Sequence, residues 1–218
     1  MPALRLLLAD DHEIVRQGLR SMLASVRECE IVGEASDGRQ AVSMAKEHNP
    51  DIVILDIGMP SLNGLEATRQ ILKVRPQTKV LILTMHESDT VIREVLDAGA
   101  RGYILKTDAG RDLVTAVESL RRNKAFFTSR VSQMILDGFL KGEPRPRNGE
   151  SSGIRLTPRQ REIVQLLAEG KSSKEVAVTL DLSVKTAETH RANIMRKLDC
   201  HSVSEVVRYA IRNKIIDA

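Results

Sequence analysis

The sequence predicts an α/β doubly wound domain built on a five-stranded parallel sheet, followed by a small all-α domain of four helices. Three observations lead there. Short apolar runs alternate with amphipathic helical stretches from Leu4 to about Asn123; a Pro-, Gly-, Ser- and charge-rich stretch breaks the pattern after Leu140; and beyond it helix-capping signatures follow one another without a strand signal.

The apolar runs are Leu4–Ala9, Ile31–Ala35, Ile52–Leu55, Val80–Leu83 and Tyr103–Leu105, each of strand length and mostly rich in Val, Ile and Leu. Between them Val15, Leu19, Met22 and Leu23 share one face of a first helix, and Val114, Val117 and Leu120 one face of a last. Near-continuous apolar strands alternating with helices require a parallel sheet covered on both faces, and right-handed crossovers make it doubly wound. From Arg130 to Leu140, Val131, Met134, Ile135 and Leu136 or Phe139 fall to one side of a connecting helix. The run KGEPRPRNGESSG has no apolar period and reads as a linker. Thr157-Pro158-Arg159-Gln160, Ser172-Ser173-Lys174-Glu175 and Ser202-Val203-Ser204-Glu205 fit the capping-box pattern, and Ser183 is a fourth N-cap. The organisation expected is 1–125, an α/β domain; 126–153, connecting helix and flexible linker; and 154–218, the helical domain.

The 218 residues include only two cysteines, Cys29 and Cys200, far apart and without ligand spacing, so free reduced thiols are expected rather than a disulfide or zinc site. The apolar start MPALRLLLAD ends in aspartates after a few residues, too short for a signal or a membrane span, which predicts a cytoplasmic protein with no membrane partner. Residues 1–140 carry 18 Lys/Arg against 19 Asp/Glu, whereas 141–218 carry 15 against 10. The basic excess belongs to the helical domain and suits a polyanion such as nucleic acid.

In an open α/β sheet ligands bind at the carboxyl ends of the strands, so the polar residues that end the apolar runs are the candidates. They are Asp10-Asp11, Asp56, Thr84 and Lys106, from four different strands. A carboxylate can attack phosphorus to give an aspartyl phosphate, but it approaches a group already negative, and a cation has to lie between them. Mg²⁺ suits this, because it takes one or two carboxylates and binds phosphate oxygens directly. Asp11 and Asp56 are the expected direct ligands. Lys106 would neutralise a second phosphoryl oxygen and the Thr84 hydroxyl would donate to a third. His12 opens a helix with no second histidine nearby and is expected to be a surface residue.

Asp10-Asp11, Asp56-x-x-Met59-Pro60 with Gly64, Thr84 and Gly102-Tyr103-Ile104-Leu105-Lys106 resemble the receiver signature of response regulators over residues 4–123. The resemblance implies a flavodoxin-like receiver in which Asp56 accepts phosphate from a sensor histidine kinase. It further implies that Asp10 holds the metal through water, that the Gly58 backbone carbonyl is the remaining protein ligand, and that Tyr103 is the rotamer switch. A magnesium-dependent phosphohydrolase would need a second carboxylate two residues after the nucleophile; position 58 is Gly, and no P-loop, HExxH or GxSxG occurs. The expectation is therefore a transcription regulator rather than an enzyme, the receiver taking part only in its own phosphoryl transfer.

In the helical domain, Ser173–Leu180 and Val184–Leu198 are separated by Asp181-Leu182-Ser183, the short turn of a helix-turn-helix. On a helical wheel Val184, Ala187, Ile194, Met195 and Leu198 form the apolar stripe of the second helix, with Arg191 falling in it. Lys185, Thr189, Ala192, Asn193 and Arg196 lie opposite. Such a face fits the major groove of double-stranded DNA, and Lys174 is placed for another phosphate. The stretch from Leu156 to Ala210 resembles the LuxR-type helix-turn-helix and, with the receiver, points to the NarL/FixJ class. The resemblance implies that Glu162, Leu166, Gly170 and Val176 are framework and that bases are read near Glu188, Thr189 and Ala192; Thr186 completes the candidate DNA-contacting set. A salt bridge within the domain is an equal reading for Glu188. The final helix carries Val203, Val206, Val207, Ala210 and Ile211 on one stripe, and the resemblance implies that it joins two DNA-binding domains; the expectation is that the unphosphorylated receiver covers this domain and that phosphorylation, moving Thr84 and Tyr103, releases it to form a homodimer. A constitutive DNA-binding protein with a receiver serving only to dimerise is the alternative, opposed by the intact acceptor site.

Overall fold

Each apolar run becomes a strand: β1 (Leu4–Ala9), β2 (Cys29–Ala35), β3 (Ile52–Asp56), β4 (Lys79–Thr84) and β5 (Gly102–Leu105). A computed structural model describes residues 3–85, 88–140 and 156–216, with backbone alone at 138–140. The sheet is parallel, in the order β2-β1-β3-β4-β5, and one strand more than expected is added at its edge. This β6 (Phe126–Phe127) pairs Gly102 with Phe126 and Tyr103 with Phe127. Two residues are too few to show a period of two, and it is the open edge of β5 that makes them a strand.

Helices α1 (Glu13–Leu23) and α5 (Ala109–Arg121) cover one face of the sheet, and α2 (Gly38–His48), α3 (Gly64–Val74) and α4 (Asp89–Asp97) the other. Successive strand residues point to opposite faces, so Leu6, Leu8, Ile52, Ile54, Leu81 and Leu83 pack with α1 and α5, while Leu7, Val53, Leu55, Val80 and Ile82 pack with α2, α3 and α4. Asp37, Asn63 and Ser88 cap α2, α3 and α4 by accepting from Gln40, Glu66 and Val91 amides. The connecting helix α6 (Ser129–Leu140) is anchored by its first turn. Val131 is buried in the same core as Tyr103, Met134 packs on it, and Arg130 pairs with Asp89 of α4 at 3.4 Å. Burying Val131 contributes about 1.5–3 kcal/mol, far more than so exposed an ion pair. Ile135 and Leu136 stay exposed; the Phe139 side chain lies outside the described residues, as does the linker expected after Leu140.

Contacts divide the chain into two compact units, Met1–Gly142 and Glu143–Ala218. The second consists of α7 (Pro158–Ala168), α8 (Ser173–Thr179), α9 (Val184–Leu198) and α10 (Val203–Arg212) around Ile163, Leu166, Val176, Ala187, Ile194, Val206 and Ala210. Thr157 and Ser172 form complete capping boxes, and Ser183 accepts from the Thr186 amide. Ser202 makes only half a box. Its hydroxyl accepts from the Glu205 amide, while the strongest bond to the Glu205 carboxylate comes from the His201 amide at 2.6 Å. Gly170, with φ +84°, ends α7 in a left-handed conformation that favours glycine. Among the described residues no helix is long and apolar enough to cross a membrane.

Gly64 begins α3 against the end of β3. A Cβ there would overlap the Asp56 carbonyl oxygen and crowd Leu55, whereas a Cβ at Gly18, within α1, meets nothing within 4 Å. Gly64→Ala is expected to cost about 2–3 kcal/mol in urea unfolding, and Gly18→Ala to gain about 0.5–1 kcal/mol. Equal effects would mean that α3 does not approach β3 this closely.

Candidate functional site

The ends of β1, β3, β4 and β5 bring together the residues that close those strands. Asp10 and Asp56 are buried, and the Lys106 ammonium lies between them, with Nζ 2.7 Å from Asp10 Oδ2 and 2.9 Å from Asp56 Oδ2. Asp10 is held by its amide, which donates to the Ala35 carbonyl at 3.1 Å, and by Oδ1, which accepts the His12 amide at 2.9 Å, while Oδ2 has the Lys106 charge beside it but no hydrogen bond. Asp56 Oδ1 accepts the Ile57 amide at 2.8 Å. Thr84 is buried at the end of β4. Tyr103 is wholly buried with Val91, Ile92 and Val95 of α4 and Val131 of α6.

His12 is exposed, as expected, yet its Nδ1 lies 2.8 Å from Asp11 Oδ1. The side-chain ligand atoms of Asp10, Asp11, His12 and Asp56 all lie within 4.8 Å of one another. Three carboxylates, one of them at the surface, make a hard oxygen-donor set open to solvent, which is compatible with a divalent cation.

Burial pushes the Asp56 carboxyl above the ordinary aspartate value, and the Asp10 charge adds to this; Lys106 and the Gly58 amide work against it without winning. Lys106 is held above the ordinary lysine value, because attraction to Asp10 and Asp56 outweighs the burial that penalises its charge. The two shifts are compatible, since the lysine has two carboxylates while each carboxylate has a share of one lysine. Burial likewise pushes both free thiols, Cys29 and Cys200, up, which favours the protonated form.

The second unit presents a different surface. Ala187, Ile194 and Leu198 of α9 are buried and Met195 is half-buried, but Val184 is 39% exposed rather than part of the stripe. As the first residue of α9 it lies beyond the reach of the helices that cover the rest. Lys174, Lys185, Thr186, Glu188, Thr189, Ala192, Asn193 and Arg196 are all exposed, and Arg191 is half-buried. Glu188 forms no ion pair among the described residues. The Thr189 hydroxyl donates to the Lys185 carbonyl at 2.8 Å, which leaves its methyl and lone pairs outward. Two cations with framework positions escaped the sequence reading. Arg159 donates to the Leu180 carbonyl at 2.7 Å and pairs with buried Glu162, tying α7 to the end of α8. Arg16 donates to the Asp10 carbonyl at 2.6 Å. Its position, three residues before Leu19 and seven before Leu23 on the buried side of α1, was the available signal.

These two units define a receiver joined to a DNA-binding module. The family description "Response regulator receiver domain" matches residues 6–118, and "Bacterial regulatory proteins, luxR family" matches residues 155–210. The chain belongs to the two-component response regulators that carry a LuxR-type DNA-binding domain and regulate transcription. The oxygen regulatory protein NreC of Staphylococcus carnosus is 36% identical over 216 residues, covering 98% of this chain and all of its own. The transcriptional regulatory protein LiaR of Bacillus subtilis is 36% identical over 214 residues, with 98% of this chain and 100% of its own covered. Among solved structures, the Salmonella typhimurium RcsB response regulator superposes with a TM-score of 0.63 at 26% identity, covering 96% of this chain and 97% of that one. An RcsB–DNA complex superposes at 0.58 with 28% identity, covering 95% and 97%.

A carboxyl whose folded value is raised adds stability below its unfolded value, and that stability is lost as pH rises through the folded one. In metal-free protein at pH 7, Asp56→Asn is therefore expected to raise the thermal midpoint of the receiver and to flatten its decline with pH. A midpoint equal to or below that of the unaltered protein would show that Lys106 outweighs burial.

Proposed function

We propose that Asp56 accepts a phosphoryl group from the phosphohistidine of a sensor histidine kinase, and that the phosphorylated chain dimerises and binds double-stranded DNA at specific sequences. The observation that carries this is the Lys106 ammonium seated between Asp10 and Asp56 at the strand ends, with Asp11 beside them at the surface. An Asp56 oxygen bonds to phosphorus as the phosphorus–nitrogen bond breaks, and the imidazole leaves with that electron pair. Asp11, Asp56 and the Gly58 backbone carbonyl would hold Mg²⁺ directly and Asp10 through water. Bound there, the ion neutralises the charge between the nucleophile and the phosphoryl oxygens. Lys106 offers its ammonium to one of these oxygens and Thr84 its hydroxyl to another. Tyr103, on β5 three residues before Lys106 and packed with α4 and α6, is the residue that passes the change on.

On the DNA side, Lys174, Lys185, Asn193 and Arg196 bind phosphates, while Thr189, Ala192 and Glu188 face base edges, with Thr186 beside them at the start of α9. That Glu188 forms no ion pair among the described residues supports giving it this role. Val206 and Ala210 of α10 are spent on the domain's own core, but Val203 is exposed and Val207 and Ile211 are half-exposed, which supports α10 as the surface joining two copies. A ligand that favours the paired state is favoured by it in turn, so phosphorylation and dimerisation strengthen each other. A DNA partner supports a cytoplasmic location, and the same reading makes 1–125 the receiver, 126–153 the connector and 154–218 the DNA-binding domain, with no catalysis beyond the receiver's own phosphoryl transfer.

Incubated with acetyl phosphate and Mg²⁺, the protein is expected to gain one acid-labile phosphate by intact mass and Asp56→Asn to gain none; a phosphorylated Asp56→Asn would remove the assignment. In binding isotherms, Lys185→Ala should weaken all sequences alike and lower the salt slope by about one, whereas Thr189→Ala should cost about 1–3 kcal/mol at one operator position. A change of sequence preference in Lys185→Ala with the slope intact would reverse the two roles.

A further inference from the structure

The loop that carries Asp10 and Asp11 is held from behind by a group outside the acidic cluster. Arg16, with a side chain only 15% exposed, reaches back from α1 and donates through one terminal nitrogen to the Asp10 carbonyl at 2.6 Å. Its Nε lies 3.5 Å from Glu34 Oε2 on β2, an ion pair without a hydrogen bond, and the other Glu34 oxygen is taken by Arg20. Glu34 immediately precedes Ala35, whose carbonyl receives the Asp10 amide. The chain of contacts is thus closed: β2 holds Asp10 through the Ala35 carbonyl and, by way of Glu34 and Arg16, through the Asp10 carbonyl too. Arg16 faces its two partners with two different nitrogens, a terminal one on the Asp10 carbonyl and Nε towards Glu34, whereas a lysine would have a single nitrogen to place.

We infer that Arg16 and Glu34 are positioning residues for the magnesium-binding loop, setting where Asp10 and Asp11 present their carboxylates. This rests on the reading of Asp10, Asp11 and Asp56 as a magnesium-holding phosphoacceptor site. Neither Arg16 nor Glu34 touches the cation or the phosphoryl group. Their loss therefore falls on the affinity of the site for the metal more than on the transfer step once the metal is bound, and partners at this remove are typically worth about 10–100-fold in metal affinity. The pair acts as one unit, so removing the second member after the first adds little.

The test uses the full-length protein, with Mg²⁺ as the probe. Titrating Mg²⁺ by calorimetry into unaltered protein, Arg16→Gln, Arg16→Lys, Glu34→Gln and the double variant Arg16→Gln/Glu34→Gln measures affinity directly; the initial rate of phosphate incorporation from acetyl phosphate is followed across Mg²⁺ concentration. Expected are a loss of about tenfold or more in Mg²⁺ affinity for Arg16→Gln and a partial one for Arg16→Lys and Glu34→Gln. The double variant should be no worse than Arg16→Gln, and the phosphorylation rate should return to within about twofold at saturating Mg²⁺. Should Arg16→Gln fail to fold, judged by its thermal transition without metal, Glu34→Gln, which keeps the bond to the Asp10 carbonyl, carries the comparison. Folded variants that bind Mg²⁺ as the unaltered protein does would overturn the inference and leave the magnesium reading intact. Unaltered protein that binds no Mg²⁺, with Asp11→Asn as the reference, would overturn the magnesium reading itself and this inference with it.

Discussion

One ammonium shared by two buried carboxylates is the constraint on which the receiver depends. Asp10 ends β1, Asp56 ends β3 and Lys106 follows β5, and in the order β1-β3-β4-β5 the lysine stands two strands from the nearer carboxylate and three from the farther. With strands about 4.8 Å apart a short side chain would fall short, and the long stem of Lys106, starting just past the end of β5, is what brings an ammonium to both carboxylates. Two carboxylates taken out of water side by side repel, and only a cation between them makes the burial tolerable. The raised Asp56 carboxyl shows that the compensation is incomplete. Such a site favours more positive charge, which is what a metal ion would bring.

The same constraint organises what surrounds the site. Gly64 lets α3 start directly behind Asp56, so that this strand end is covered by backbone rather than by a side chain. Tyr103 and Lys106 lie three residues apart on and just after β5, so a change in the pull on the ammonium acts on the strand that holds the tyrosine. Tyr103 packs in turn with α4 and with Val131 of α6, while β6 fixes the chain into α6 by pairing with β5 at Gly102 and Tyr103. A packed core of this kind transmits a shift because it has no slack in which to absorb it.

Most of this was legible in the sequence, because strand ends and apolar periods are local signals. Asp10, Asp11, Asp56, Thr84 and Lys106 could be named from the residue that closes each run, and the sheet then brings Asp10, Asp56 and Lys106 into contact. What escaped depends on distant partners. β6 exists only because β5 offers it an edge, and Val184 is exposed only because the surrounding helices end short of it. Arg16 looked like one more cation on an amphipathic helix until the Asp10 carbonyl appeared within its reach. The Ser202 half-box belongs to the same kind, since a pattern of residue types fixes which groups can bond and the path of the chain selects which of them do.

The DNA-reading surface narrows what phosphorylation can accomplish. Helix α9 is capped by Ser183, packed through Ala187, Ile194 and Leu198, and braced by α7 and α8, and every one of these contacts comes from residues 156–216. Thr186 and Thr189 are held by bonds to Ser183 and Lys185 from the same helix and its cap. Among the described residues, the contacts that hold this surface come from its own unit. A single face of this size offers one half-site, and cooperative recognition needs two such faces set one helical turn apart along the DNA. On the function proposed above, control through Asp56 acts on the access to that face or on its pairing with a second copy, not on its folding. The half-open stripe of α10 is where pairing has apolar surface left to use.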